Sequence, residues 1–205
     1  MTQERIRSLM QQGLELADKG DLFGAIGYAE QLIKEFPDFH PGLCLLGDLY
    51  LQVGSPALAI DPLEKAVAAA PQNAYSQFLL GCGLGRTGNL ARAIHHLEIA
   101  DRLRPNNTEI LRNLGWMKSM SGNVKKGRQF LRKSIKLDSK NSLAYNDLGA
   151  SYMFADDVDP QMAKRYIGKA LDLDPENKFI QNTWKSFQEL FQSASQEKAG
   201  KSNRP

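Results

Sequence analysis

Glycine recurs at Gly13, Gly47, Gly81, Gly115 and Gly149, each 34 residues after the last, and a second series, Gly20, Gly54, Gly88 and Gly122, keeps the same interval. A fixed period of this size implies an array of small stacked units, each burying its apolar face only against its neighbours. Proline follows the same spacing at Pro37, Pro71 and Pro105, gives way to Ser139, and returns at Pro175 after two extra residues placed within 155–159. Small residues repeat at Ala25, Ala59, Ala93, Gly127 and Ala163, and again at Ala66, Ala100, Ser134 and Ala170. The units are therefore 6–39, 40–73, 74–107, 108–141 and 142–177.

Each unit reads as two helices. Asp21, Ser55, Asn89, Asn123 and Asp159 precede one set of helical stretches, and Asn73, Asn107, Asn141 and Asn177 precede the other, where a side-chain oxygen can accept from free N–H groups. Pro56 and Pro160 fall in a first helical turn, where a missing N–H costs nothing. Leu46, Leu80, Leu114 and Leu148, with Leu43, Leu111 and Tyr145, supply an apolar stripe. Strand-period alternation is absent, so the fold class is all-α. After the fifth unit, Ile180, Trp184, Phe187, Phe191 and Ala194 share one helical face, which predicts a capping helix over 178–195 followed by a polar, disordered tail over 196–205. The whole of 1–195 is expected to be a single domain. Phe179 and Leu190 flank that face and offer an apolar edge for self-association.

These residues resemble the tetratricopeptide repeat family over residues 6–177. The resemblance rests on the 34-residue period, the pairs Leu46-Gly47, Leu80-Gly81, Leu114-Gly115 and Leu148-Gly149, the aromatics Tyr50 and Tyr152 three residues later, and the alanines and closing proline in the family's order. Departures are Gln12 and Gln77 in place of apolar residues, Lys118 in place of the aromatic, and Ser139 in place of proline. The resemblance implies a right-handed α-solenoid of five helix-turn-helix repeats. It also implies that the first helix of each repeat lines a concave groove where the family usually holds peptides.

The groove residues follow from the phase of the repeat. Met10, Cys44, Phe78, Arg112 and Asn146 stand three before each repeating glycine; Leu14, Asp48, Cys82 and Trp116 stand one after it. Leu51, Arg86, Met120, Met153, Phe154 and Tyr75 complete the expected partner-binding surface. Aromatics and methionines of this kind dominate binding hot spots and adaptable surfaces. Members that grip a C-terminal carboxylate use Lys and Asn at the early inner phases, where this chain has Met10, Leu14 and Asp48, so an apolar segment or amphipathic helix suits the groove better. Arg86, Arg112, Asp48 and Asn146 would fix its polarity.

Charge is uneven. Lys plus Arg is 26 against 23 for Asp plus Glu, a net +3 that demands no nucleic acid. Residues 108–141, however, carry nine basic residues against Glu109 and Asp138. Lys125, Arg128, Arg132 and Lys136 line one face of a helix there, a candidate basic patch for an acidic partner or RNA. It lacks the interleaved aromatics of single-strand binders, so nucleic acid is not the expected partner.

Catalytic and metal chemistry find no support. GLGRTG at 83–88 matches a dinucleotide fingerprint in letters, but Gly88 is a repeat glycine and no strand pattern precedes it. Gly83 and Gly85 are extra, and are expected to hollow the surface for a ligand's backbone. His40 with Cys44, and His95 with His96, do not make four convergent ligands. No nucleophile elbow, zincin or phosphate-loop motif occurs. The expectation is a non-enzymatic, cofactor-free scaffold, adaptor or chaperone-like module of the cytoplasm, monomeric or weakly dimeric, binding a protein or peptide. The alternative is an assembly subunit that self-associates through its C-terminal helix or uses the basic fourth repeat. No apolar run approaches the roughly 20 residues of a membrane span.

Overall fold

The computed structural model describes the backbone of residues 2–154 and 158–202, with side chains to 191. Among the described residues eleven helices occur and no strand: α1 (Thr2–Asp18), α2 (Leu22–Glu35), α3 (His40–Gln52), α4 (Pro56–Ala69), α5 (Ala74–Arg86), α6 (Leu90–Leu103), α7 (Thr108–Met120), α8 (Val124–Leu137), α9 (Ser142–Ser151), α10 (Pro160–Leu173) and α11 (Lys178–Ser202). They fall into two compact units, Met1–Pro105 and Asn106–Pro205.

The turn within each of the first four repeats is set by a glycine in the left-handed region. Gly54 has φ +77°, and the Ser55 N–H reaches back to the Tyr50 carbonyl at 2.8 Å, which closes α3 and reverses the chain into α4. Gly20, Gly88 and Gly122 repeat the arrangement with φ between +83° and +90°. The predicted caps then start the helices: Asp21, Asn73, Asn89, Asn107, Asn141, Asp159 and Asn177 each accept from a backbone N–H. Ser55 and Asn123 occupy the cap position without a side-chain bond.

The other glycine series makes the two helices of a repeat touch. A Cβ on Gly81 would lie 2.7 Å from Leu97 Cγ, one on Gly115 2.8 Å from Leu131 Cγ, and one on Gly149 2.6 Å from Ile167 Cγ1. Gly47 meets Leu63 in the same way. The partner lies 16 residues on in three repeats and 18 in the last, so the two extra residues fall between α9 and α10 without disturbing the interlock. Ala25, Ala59, Ala93 and Ala163 are fully buried on the facing helices, where side chains this small let the axes approach.

In the first unit each helix packs on its successor, and α3 also packs on α5. Arg5 of α1 forks onto Glu35 of α2, Nε to Oε2 at 3.0 Å and Nη2 to Oε1 at 2.7 Å, and holds that carboxyl down at about 2. Gln77, a departure from the apolar pattern, is buried because both ends of its amide are used: Nε2 donates to the Pro71 carbonyl at 2.9 Å and Oε1 lies 2.8 Å from His96 Nδ1. Burial first, then neighbouring His95 and Arg92, lower the pKa of His96 from 6.5. The unfolded chain therefore binds this proton more readily than the folded one. Stability should fall as pH drops below about 6.5 and level off beneath the folded pKa. Urea unfolding of wild type and His96→Gln checks this: the midpoint of wild type should decline more between neutral and mildly acid pH, and equal declines would refute it.

In the second unit α7 to α11 pack in succession, with α7 against α9 and α11 against α9. Ile180 and Phe187 of α11 are buried, and Phe187 joins Leu131, Leu148, Tyr152, Met153 and Ile167 in one core cluster with Trp184 and Phe191 at its margin. The face expected to cap the array thus covers α9 and α10. Ala194 lies beyond the described side chains. The helix runs to Ser202, through residues 196–202 where the sequence predicts a disordered tail; Glu197, Lys198 and Ala199 there are good helix formers.

Candidate functional site

The expected groove residues separate into those that present a surface and those that fill core. In the first unit Cys44 and Leu51 are buried, at 4% and 7% exposure, so they line no surface. Cys44 Sγ sits 3.5 Å from His40 Nε2, and burial followed by the Asp48 charge pushes its thiol up to about 11, which makes it a poor nucleophile and metal ligand. Asp48, Phe78 and Cys82 are half-buried, while Tyr75 is exposed. Asp48 Oδ2 accepts from the Tyr75 hydroxyl at 3.2 Å and from Gln52 Nε2 at 3.0 Å, which ties the exposed faces of α3 and α5 together. Arg86 donates to the Leu51 carbonyl at 2.6 Å, serving the C-terminal end of α3 as well as the surface.

Met10 and Leu14 belong to a different feature. They line an open cavity of about 680 Å³ along α1, walled by Ile6, Arg7, Asp18 and Phe39 among others. Ile6, Arg7 and Phe39 were missed in the sequence, although Ile6 stands one turn before Met10 and continues its stripe.

In the second unit Arg112 Nη1 pairs with Asp147 Oδ2 at 2.8 Å, an ion pair whose carboxylate is buried. Burial raises the Asp147 pKa, and Arg112 opposes that rise. Asn146 is 1% exposed and Met153 5%, so both leave the expected surface for the interior. Met120 and Phe154 are well exposed, and Trp116 is half-buried.

The basic patch needs a correction. Lys125, Arg132 and Lys136 are exposed, but Arg128 is 4% exposed. Its guanidinium lies 3.6 Å from the centroid of the Tyr152 ring, with Nε donating to Ser151 Oγ at 3.1 Å and Nη2 to the Ser151 carbonyl at 2.8 Å. The stacking suits a planar, weakly hydrated cation. Arg132 donates to the Tyr152 hydroxyl at 2.6 Å from the rim of the same ring. A signal for this existed: Ile26, Ile60 and Ile94 stand at the phase Arg128 occupies. Lys118, in the aromatic's place, is likewise buried, with its ammonium 5.9 Å from the Phe130 ring.

The dinucleotide-like stretch lies inside α5 and its closing turn, with no strand before it. Gly83 does not hollow the surface for a ligand; it is buried, and a Cβ there would meet Ile60 Cδ1 at 3.2 Å and Leu51 Cδ2 at 3.6 Å. Its absent side chain makes room for packing between α5 and its neighbours. No helix among the described residues is long and apolar enough to cross a membrane.

Comparison with known proteins agrees with this geometry. A family model described as tetratricopeptide repeat matches residues 10–74. The MamA protein is similar in structure, 26% identical over 84% of this chain and 93% of that one, with a TM-score of 0.68. The fold is the tetratricopeptide repeat. TTC0263 of Thermus thermophilus, itself described as a thermophilic TPR protein, shares that fold at 19% identity, covering 89% of this chain and 98% of its own, with a TM-score of 0.72. So does YrrB, described as a TPR protein with an unusual peptide-binding site, at 19% identity over 86% and 90% of the two chains and a TM-score of 0.65. No curated protein sequence matches the chain. Tetratricopeptide repeats generally mediate protein–protein interaction and are generally non-catalytic scaffolds.

Proposed function

We propose that this tetratricopeptide-repeat chain is a non-catalytic adaptor, chaperone-like and cytoplasmic, that holds an apolar segment of a protein partner on the exposed faces of its first helices. The observation that carries the reading is the surface of α3 and α5, where Tyr75, Phe78 and Cys82 stand beside a single carboxylate, Asp48, held in place by the Tyr75 hydroxyl and Gln52. Such a surface offers apolar area for affinity and one fixed charge for orientation. In the second unit Trp116, Met120 and Phe154 supply further apolar area beside Arg112. A ligand with apolar anchors and one cation opposite Asp48 suits the first set, and an affinity on the order of micromolar, about −8 kcal/mol, is expected of a surface this size.

A displayed library of random peptides selected on the chain tests this, with isothermal titration of the best binder. Phe78→Ala should weaken binding about tenfold or more, as truncating an anchor does, and Asp48→Asn should weaken only peptides that carry a cation. Binding should change little between low and moderate salt, because apolar contacts are not screened. Peptides that are acidic, steeply salt-sensitive and indifferent to Phe78→Ala would place binding on Lys125, Arg132 and Lys136 instead and end the groove reading. That alternative has lost one of its four cations to Tyr152.

A further inference from the structure

The cavity along α1 has a chemistry apart from the α3 and α5 faces. Ile6 and Met10 are half-buried and Leu14 is 43% exposed, so an apolar stripe runs along a helix face that is otherwise open. Its charges are segregated. Arg7 lies towards the start of the helix, and Glu15 and Asp18 towards its end. Phe39, at the N-terminal end of α3, walls one side.

A face built this way complements itself when one copy is turned end for end. Helical residues rise about 1.5 Å each, so pairing Met10 with Leu14 of an antiparallel second helix puts Arg7, about 4.5 Å before Met10, opposite residue 17 of the partner helix, beside Asp18. By the two-fold symmetry the same happens at the other end, and the central Met–Leu pairs are flanked on each side by opposite charges. A parallel arrangement would instead set Arg7 against Arg7 and Asp18 against Asp18. We propose that α1 is a homodimerisation surface on which two copies of this chain pair antiparallel, with Met10 and Leu14 at the centre and Arg7 facing Asp18 across the dyad. This assigns Met10 and Leu14 to self-association, not to the peptide surface, and does not depend on that surface.

Size sets the strength. A helix of 17 residues is about 25 Å long, and with Phe39 it reaches only the lower end of the roughly 1,200–2,000 Å² that stable interfaces bury. The dimer should therefore be in exchange with monomer at concentrations on the order of tens of micromolar. The interface differs from the C-terminal edge formed by Phe179 and Leu190, which stay exposed on α11.

Sedimentation velocity of the full chain across a dilution series tests the proposal. Wild type should move from the mass of one chain, 22.8 kDa, towards two as concentration rises. Arg7→Glu and Asp18→Arg should each hold the chain monomeric, Leu14→Ser likewise, and the double variant Arg7→Glu/Asp18→Arg should recover the dimer because the pair is re-formed with signs exchanged. Circular dichroism checks that each variant keeps its helix content. Wild type that remains monomeric throughout overturns the proposal. So does a dimer that tolerates the charge reversals, or one lost instead in Phe179→Ser/Leu190→Ser, which would place self-association on α11. Phe78→Ala, the variant that tests the peptide surface, should leave the mass unchanged, so the two readings fail separately.

Discussion

Gly127→Ala should unfold the second unit at markedly lower urea than wild type, with a loss of about 3 kcal/mol. The added Cβ would lie 2.5 Å from the Gly115 carbonyl oxygen and 2.8 Å from the Ser119 amide nitrogen, and closer still to Ser119 Oγ. A hydroxyl can rotate away, but two backbone atoms of α7 cannot move without shifting the helix. The Ser119 hydroxyl is also committed, since it donates to the Gly115 carbonyl at 2.9 Å in the same crevice. Gly168 of α10 is the control. A Cβ there meets nothing within 4 Å, so Gly168→Ala should stabilise by roughly 0.5–1 kcal/mol through helix propensity alone. Urea titrations followed by circular dichroism give both midpoints. If the two variants shifted in the same direction, the close approach of α7 and α8 at Gly127 would not be what limits that position.

Arg112→Ala should be comparably severe at neutral pH, about 3 kcal/mol or more, because it strands the buried Asp147 carboxylate without its cation. The pH dependence identifies the cause. Burial already raises the Asp147 pKa and Arg112 pulls against that rise, so in the variant that opposing pull is gone. The folded pKa then stands further above the unfolded value, and folding takes up a proton as pH falls. The penalty should thus be greatest at neutral pH and shrink on acidification towards the unfolded carboxylate range. Asp147→Asn in the same background should recover much of the loss at neutral pH by removing the charge. A deficit that is flat with pH, and untouched by Asp147→Asn, would mean that Arg112 acts by packing its stem rather than by neutralising Asp147.

The repeat was legible because its constraints recur at one phase. The offset between Gly81 and Leu97 is the offset between Gly115 and Leu131, and five copies of a pattern average away the variation of any one. Helix starts were legible for a local reason, since an Asn or Asp at the cap needs only the next three residues to act. Side chains whose environment belongs to another helix were less so. Exposed Lys125 and Lys136 mark the helix face of Arg128 as one turned to solvent, but Tyr152 and Ser151 decide its burial. Met153 lies past the end of α9, in a turn that carries it inward, while Cys44 and Leu51 lie at the margin between the buried stripe and the open face, where a small rotation of the helix sends a side chain inward. Counting from the repeat glycines could not resolve that rotation. Gly83, taken with its own helix alone, is a gap towards solvent, whereas Ile60 fills the space. The α1 cavity escaped because Phe39 reaches it from outside the periodic pattern.

The packing of each unit, in which a helix meets its successor and at most the next helix of its own kind, has a kinetic consequence. Contacts within a unit bring together segments no more than about one or two repeats apart, so the loop-closure entropy of each step is small and nearly the same for all. Folding within a unit can begin at any helix pair and spread along the chain, and it should be fast for a protein of this length. A backbone cut in one Gly-containing turn would leave the helices on either side with most of their partners still in reach, so the two fragments should reassemble when mixed.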